Sequence, residues 1–223
     1  MRKYLITLTV LLAASFVQAK EYGTYNPKQA LRVIETPAGK TYDFDVDYLD
    51  KMMRDLSLHA RSYPTQFDTP KDKQRAIQDV KMLSGMLDVL VDVPNPNLDL
   101  LSRAGFLNSI GYNLDIAGSG EKTTSNFQRL LSLKPADPLG NYLYGQFLAG
   151  AGKSKEALLY LEKAFNLGVK DAEYAIAISY LSLGETDKAL KKLESYKRSN
   201  PNNTNVDKII DAIHNGRIEH KKS

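Results

Sequence analysis

The chain has 223 residues, 43% of them apolar and 25% charged, a balance ordinary for one or two globular domains with material for a core. A mean hydropathy of −0.36 excludes a polytopic membrane protein, and the absence of cysteine excludes thiol catalysis, cysteine-ligated zinc and disulfide stapling. The formal net charge of +4 does not point to nucleic acid: Arg2 and Lys3 sit in a terminal leader, and Arg217, Lys221 and Lys222 outnumber Glu219 in the tail, so the body between is near neutral.

Met1 to Ala19 reads as a secretory signal peptide. Arg2 and Lys3 give the positive start, Tyr4 to Val17 is apolar and uncharged, and Val17-Gln18-Ala19 precedes Lys20-Glu21. The apolar run is shorter than the roughly 20 residues that span a bilayer. Cleavage after Ala19 is therefore expected, a retained anchor being the alternative. No Cys follows for a lipid anchor. The expected compartment is a bacterial periplasm, with secretion as the alternative and no membrane insertion after cleavage.

Residues 20–96 form an N-terminal region. Lys20 to Asn26 is polar and reads as a mobile arm. Thr36-Pro37-Ala38-Gly39-Lys40 punctuates two short runs and suggests a hairpin, with Tyr42, Phe44 and Val46 alternating with Asp43, Asp45 and Asp47 as on a half-buried strand. Those three Asp do not form a calcium loop, because Tyr48 and Arg54 stand where such a loop needs Gly and Glu. They read instead as helix caps and a solvated strand face. Asp47 to about Arg61 has helical apolar spacing, ended by Tyr63-Pro64. Thr69 caps a second helix, Pro70 fills its first position, and a stripe from Ala76 to Val91 follows. The two helices are expected to form a hairpin. Pro94-Asn95-Pro96-Asn97 is a boundary or, as favoured here, a rigid turn inside one stack.

From residue 97 to 218 one pattern recurs. Gly111, Gly145 and Ala177 occupy equivalent places, each followed three residues later by Leu114, Leu148 and Tyr180. Gly118, Gly152 and Gly184 come next, then Thr123, Ala157 and Ala189, then Phe127, Leu161 and Leu193, then Leu130, Ala164 and Tyr196. Pro135 closes the first unit and Pro201 the third. A period of 34 and then 32 residues marks stacked helix pairs. Small residues allow two helices to approach, and a Gly between them supplies the left-handed turn. The units run over about 104–137, 138–169 and 170–203. A capping helix over 204–215 carries Val206, Ile209, Ile210 and Ile213 to cover the last apolar face. Residues 219–223 read as a disordered tail.

On these residues the pattern resembles the tetratricopeptide repeat (TPR) family. The large aromatic early in the family's first helix is missing, its places holding Leu107, Asn141 and Glu173. Thr123 replaces an Ala. The junction Asn166-Leu167-Gly168-Val169-Lys170-Asp171-Ala172 is more similar to a Sel1-type repeat. The resemblance implies an all-α solenoid of about three helix pairs, preceded by a helical hairpin and a short β-hairpin and closed by the capping helix. It also implies a concave groove lined by the first helix of each unit. The matched groove positions are Asn108, Tyr112 and Asp115, then Tyr142, Gln146 and Ala149, then Tyr174, Ile178 and Leu181. Tyr112, Tyr142 and Tyr174 would run along that groove as recognition residues, or else fill gaps between helices. None of these positions is Lys or Arg, so the family's clamp for acidic peptide ends is not expected. A neutral, partly aromatic groove suits a peptide held by burial.

No chemistry stands out against this. His59, His214 and His220 pair with nothing at helical spacing, and His59 reads as a core or surface residue. Gly118-Ser119-Gly120 lacks the Gly-Lys of a phosphate loop. The sequence predicts no catalytic, metal or cofactor site. It predicts a non-catalytic adaptor or scaffold of the cell envelope with a protein or peptide partner and no nucleic acid. The alternative is an assembly subunit that uses the ends or convex face of the stack.

Overall fold

Side-chain caps and prolines decide where the helices begin. In the computed structural model, which describes residues 21–37 and 39–218, nine helices follow one hairpin. The expected leader (1–19) and tail (219–223) lie outside the described residues. A single turn over Pro27–Ala30 leads into β1 (Leu31–Thr36) and β2 (Gly39–Phe44), and then into α1 (Val46–Ala60) and α2 (Pro70–Val91). The repeat region holds α3 (Leu98–Asn113), α4 (Ser119–Leu133), α5 (Pro138–Gly150), α6 (Ser154–Asn166), α7 (Ala172–Ser182) and α8 (Thr186–Ser199), closed by α9 (Thr204–His214). Asp45, Thr69, Asn97, Asp137 and Asn203 each accept a backbone N–H in the first turn of the helix they precede, worth about 1 kcal/mol each. Pro70 and Pro138 open α2 and α5, where a missing N–H costs nothing. Val46 belongs to α1 rather than to the strand, because Asp45 accepts from the Tyr48 N–H and turns the chain into a helix.

Five of the described helices end alike. The N–H of Ile116, Lys153, Val169, Glu185 and Arg217 donates to the carbonyl of Gly111, Leu148, Ala164, Tyr180 and Ala212, respectively. The preceding residue is left-handed in each case: Gly152, Gly168, Gly184, Gly216 and, with φ of 60°, Asp115. This corrects the repeat alignment. Gly118 is not the counterpart of Gly152 and Gly184; Asp115 is. Gly118 caps α4 instead. Measured from Gly111 and Gly145, α3 therefore stops three residues sooner than α5.

The pairs α3/α4, α5/α6 and α7/α8 are the closest helix contacts, and α2 packs on α3 across the Pro94–Asn97 turn. A Cβ built on Gly145 would stand 2.7 Å from Leu161 Cγ, and one on Gly105 would stand 2.9 Å from the Phe127 ring. Glycine is thus what allows these seams to close. One core runs from Tyr22 through Leu56, Leu87, Leu107, Phe127 and Leu161 to Ile176. A second joins Ala177 and Leu193 to Val206 and Ile210, so α9 covers the last pair. The architecture is an all-α solenoid with a small two-stranded ribbon at its start.

Within the described residues the N-terminal arm is bonded into the fold rather than free. Tyr22 is 1% exposed, its ring against His59 and Phe67. Its hydroxyl donates to Asp79 of α2 at 2.8 Å, and Arg75 of α2 donates to its carbonyl at 2.7 Å. From the other side, Gly23 N–H and the Tyr25 hydroxyl both donate to Asp55 of α1, each at 2.9 Å. The arm binds α1 to α2, so the two helices expected to form a hairpin are joined chiefly through it rather than by packing on each other. The ribbon pairs Leu31 with Phe44 and Val33 with Tyr42; Phe44 is buried, whereas Val33 and Tyr42 are exposed. His59 is a core residue, stacked on Phe67 and bonded through Nδ1 to the Gln66 carbonyl.

Two outcomes follow for the arm. Tyr22→Ala should lower unfolding stability by about 3–5 kcal/mol, read from the shift of the urea midpoint. Burial raises the Asp79 carboxyl above its ordinary range, against the opposing Tyr22 hydroxyl and Arg75. The folded chain then holds more protons than the unfolded one between the two pKa values, so this group's contribution is present below the unfolded pKa and falls as pH rises through the folded one. Asp79→Asn, which still accepts from Tyr22 but carries no charge, should be more stable than the native chain at neutral pH. The gap should close as the pH drops below the ordinary carboxylate range; a gap that widened on acidification would contradict the assignment.

Candidate partner-binding clefts

The first helices of successive pairs lie side by side, and α1, α3 and α5 enclose a cleft of about 560 Å³ on their shared face. Its apolar wall is Met53, Phe106, Leu139, Tyr142 and Leu143, with Leu139 53% exposed. Its polar wall holds Arg54, Arg61 and Arg103 with Asp50 and Asp99. Arg103 grips Asp50 with two bonds, Nε to Oδ1 at 2.7 Å and Nη2 to Oδ2 at 2.9 Å, and these hold the Asp50 carboxyl below the usual range. Arg61 donates to Gln146 Oε1 at 3.0 Å, and Gln146 Nε2 donates to the Tyr142 hydroxyl at 2.8 Å. Burial raises the Tyr142 phenol, with the Arg61 charge opposing.

This cleft is not the neutral one expected. Its three arginines come from α1 and its end and from a place on α3 that the repeat pattern does not mark. Of the sequence-derived groove residues, Tyr142 lines the cleft and Gln146 is tied to it. Asn108 does not reach a surface: at 1% exposure it accepts from Ser84 Oγ and donates to the Ala104 carbonyl. Tyr112 sits one turn later in its unit than Tyr142 and Tyr174 do in theirs, so the three tyrosines form no single row. Tyr174 is half-buried with its ring 5.5 Å from Tyr196, beside the second core, and fills a gap between helices. Ile178 and Leu181 are half-buried on α7 and line neither cleft described here. Ala149 is half-buried on α5.

Tyr112 and Asp115 border a different cleft, of about 1080 Å³, on the edge that carries the turns between paired helices. Tyr63 reaches it from the loop after α1, and Phe147, Gly150 and Lys153 from the end of α5 and the turn beyond. Glu121, Thr124 and Gln128 face it from α4. Nothing in the repeat pattern marks Tyr63 or Glu121, because the cleft is made by loops and by the outer side of α4.

No protein-family model matches the chain, and no curated protein matches it at significance. Solved structures do. MamA is 19% identical, with 68% of this chain and 86% of its own covered, at a TM-score of 0.55. A thermophilic TPR protein of Thermus thermophilus is 16% identical, with 75% and 91% covered, at a TM-score of 0.52. A double mutant, MamA RS-1 ArsTM, is 16% identical, with 78% and 87% covered, at a TM-score of 0.50. The likeness is one of fold, a TPR-like stack of helix pairs.

Proposed function

We propose that the chain is a non-catalytic interaction scaffold of the bacterial cell envelope, exported by its first 19 residues, that holds a segment of another protein against the shared face of α1, α3 and α5. The observation that carries this is the α1–α3–α5 cleft, where accessible apolar side chains lie beside three arginines. Helical solenoids offer such extended inner surfaces to partners. Tyr142 and Phe106 supply contact area at little entropic cost, and Arg54 and Arg61 favour a segment that carries a carboxylate. The polar start, apolar run and small residues of Met1–Ala19 support export.

A second reading, as an assembly subunit, draws on the first end of the stack. There Leu31 and Tyr42 of the ribbon face Met82, Met86 and Val89 of α2 across an apolar slot, and Val89 is 74% exposed.

Affinity capture from a periplasmic extract separates the readings. The native chain is expected to retain one stoichiometric partner. Phe106→Ala with Tyr142→Ala, shown folded by circular dichroism, should lose it. Unchanged capture by that variant removes the inner face from the account, and capture of further copies of the chain alone favours the subunit reading. The intact mass of the exported protein should place its first residue at Lys20; a mass that retains the leader would overturn export by cleavage.

A further inference from the structure

We propose that the turn-edge cleft between the first two repeat units binds an arginine side chain presented by a protein partner. This is a second site, separate from the inner face, and does not rest on that reading. Three observations carry it. The first is the walls. Tyr63 is 72% exposed and Tyr112 is 42% exposed, and both border the cleft. Tyrosine faces attract cations, and the flat guanidinium stacks on them better than an ammonium does. Tyr112 is held ready: its ring meets Phe147 edge-on, with centroids 5.4 Å apart at 82°. Its Cδ2 would stand 3.1 Å from a Cβ on Gly120, so the missing side chain there is what lets the ring lie on the first turn of α4.

The second is charge. Asp115 and Glu121 face the cleft against one cation, Lys153. Neither carboxylate forms a hydrogen bond or an ion pair among the described residues. The opening turn of α4 would by itself favour an anion, but Glu121 already occupies that turn. The third is the position of Asp115. Four other helix ends among the described residues place Gly at the left-handed residue, and this one places Asp at φ of 60°. A side chain is accepted where its absence would be easier on the backbone, and what it adds is a carboxylate on the rim of an aromatic cleft. A metal suits the cleft poorly, because its walls are rings rather than oxygen ligands.

The test is a titration of the isotope-labelled mature chain, followed by NMR, with acetyl-arginine amide and with acetyl-citrulline amide, which has the same shape without the charge. Arginine is expected to shift the signals of Tyr112, of 115–121 and of 150–153, with an affinity that falls as salt is added. Citrulline should bind at least about threefold more weakly, a loss in the range of one exposed cation–π contact or ion pair. Glu121→Gln should weaken arginine by a similar factor. Asp115→Gly should do the same while raising the unfolding midpoint, which separates lost binding from lost folding. The Phe106→Ala, Tyr142→Ala variant should respond to arginine as the native chain does, so the fate of the inner-face reading leaves this one standing or falling alone. Equal response to citrulline, shifts confined to residues away from the cleft, or full affinity in both carboxylate variants would each overturn the proposal.

Discussion

The seam between α5 and α6 is the constraint on which the stack depends. Gly145 meets Leu161 where even one methyl group would stand 2.7 Å from Cγ. At that separation the helices interlock, and Tyr144, Leu148, Ala157 and Ala164 are sealed within the same contact. The seam also orients α5. Because Gly145 must face α6, helical geometry turns Leu139 and Leu143 to the far side, where α1 and α3 meet them across the inner cleft. A packing requirement thereby fixes which side chains line the inner cleft.

The repeats alone do not make that surface. α1 supplies Met53 and Arg54, and its end supplies Arg61, and α1 is held by the arm as well as by Arg103 and Asn113 of α3. Asp55 takes two donors from the arm, and Arg75 and Asp79 of α2 take hold of the same Tyr22. Hydrogen bonds of this kind contribute about 1 kcal/mol each, and more where a charge takes part. The larger contribution is burial of the Tyr22 ring. The arm thus links a core contact at the chain's beginning to the geometry of the cleft.

Much of the architecture was legible because it depends on local rules. Thr69-Pro70 announces a helix start, and the spacing of Gly111, Gly145 and Ala177 announces the pairs. The failures are non-local. Tyr22 sits among polar residues without periodicity, and its burial depends on residues far along the chain: the rings of His59 and Phe67 and the Asp79 carboxylate, 57 residues on. Asn108 occupies a place that suits a groove until Ser84, from another helix, takes its carbonyl oxygen. Gly118 and Gly152 look equivalent because each stands four residues after a matched leucine, Leu114 or Leu148, and both are left-handed, with φ of 78°. They serve opposite ends, one opening a helix and the other closing one. Spacing alone carries no information on which, since the deciding feature is the bond from Ile116 to Gly111.

The two clefts share their supports. Phe106 and Tyr142 on the inner side, and Tyr112 and Phe147 at the turn edge, stand on the same α3 and α5. Both helices are pinned at their seams, so a ligand in one cleft has little reason to alter the other, and on the proposed reading their binding energies would add. One partner that reached both would then gain through effective concentration without any new contact, provided its two segments span the distance from inner face to turn edge. A rigid scaffold with modest, separate sites can in that way be selective for a partner that carries both features while holding each feature alone only weakly.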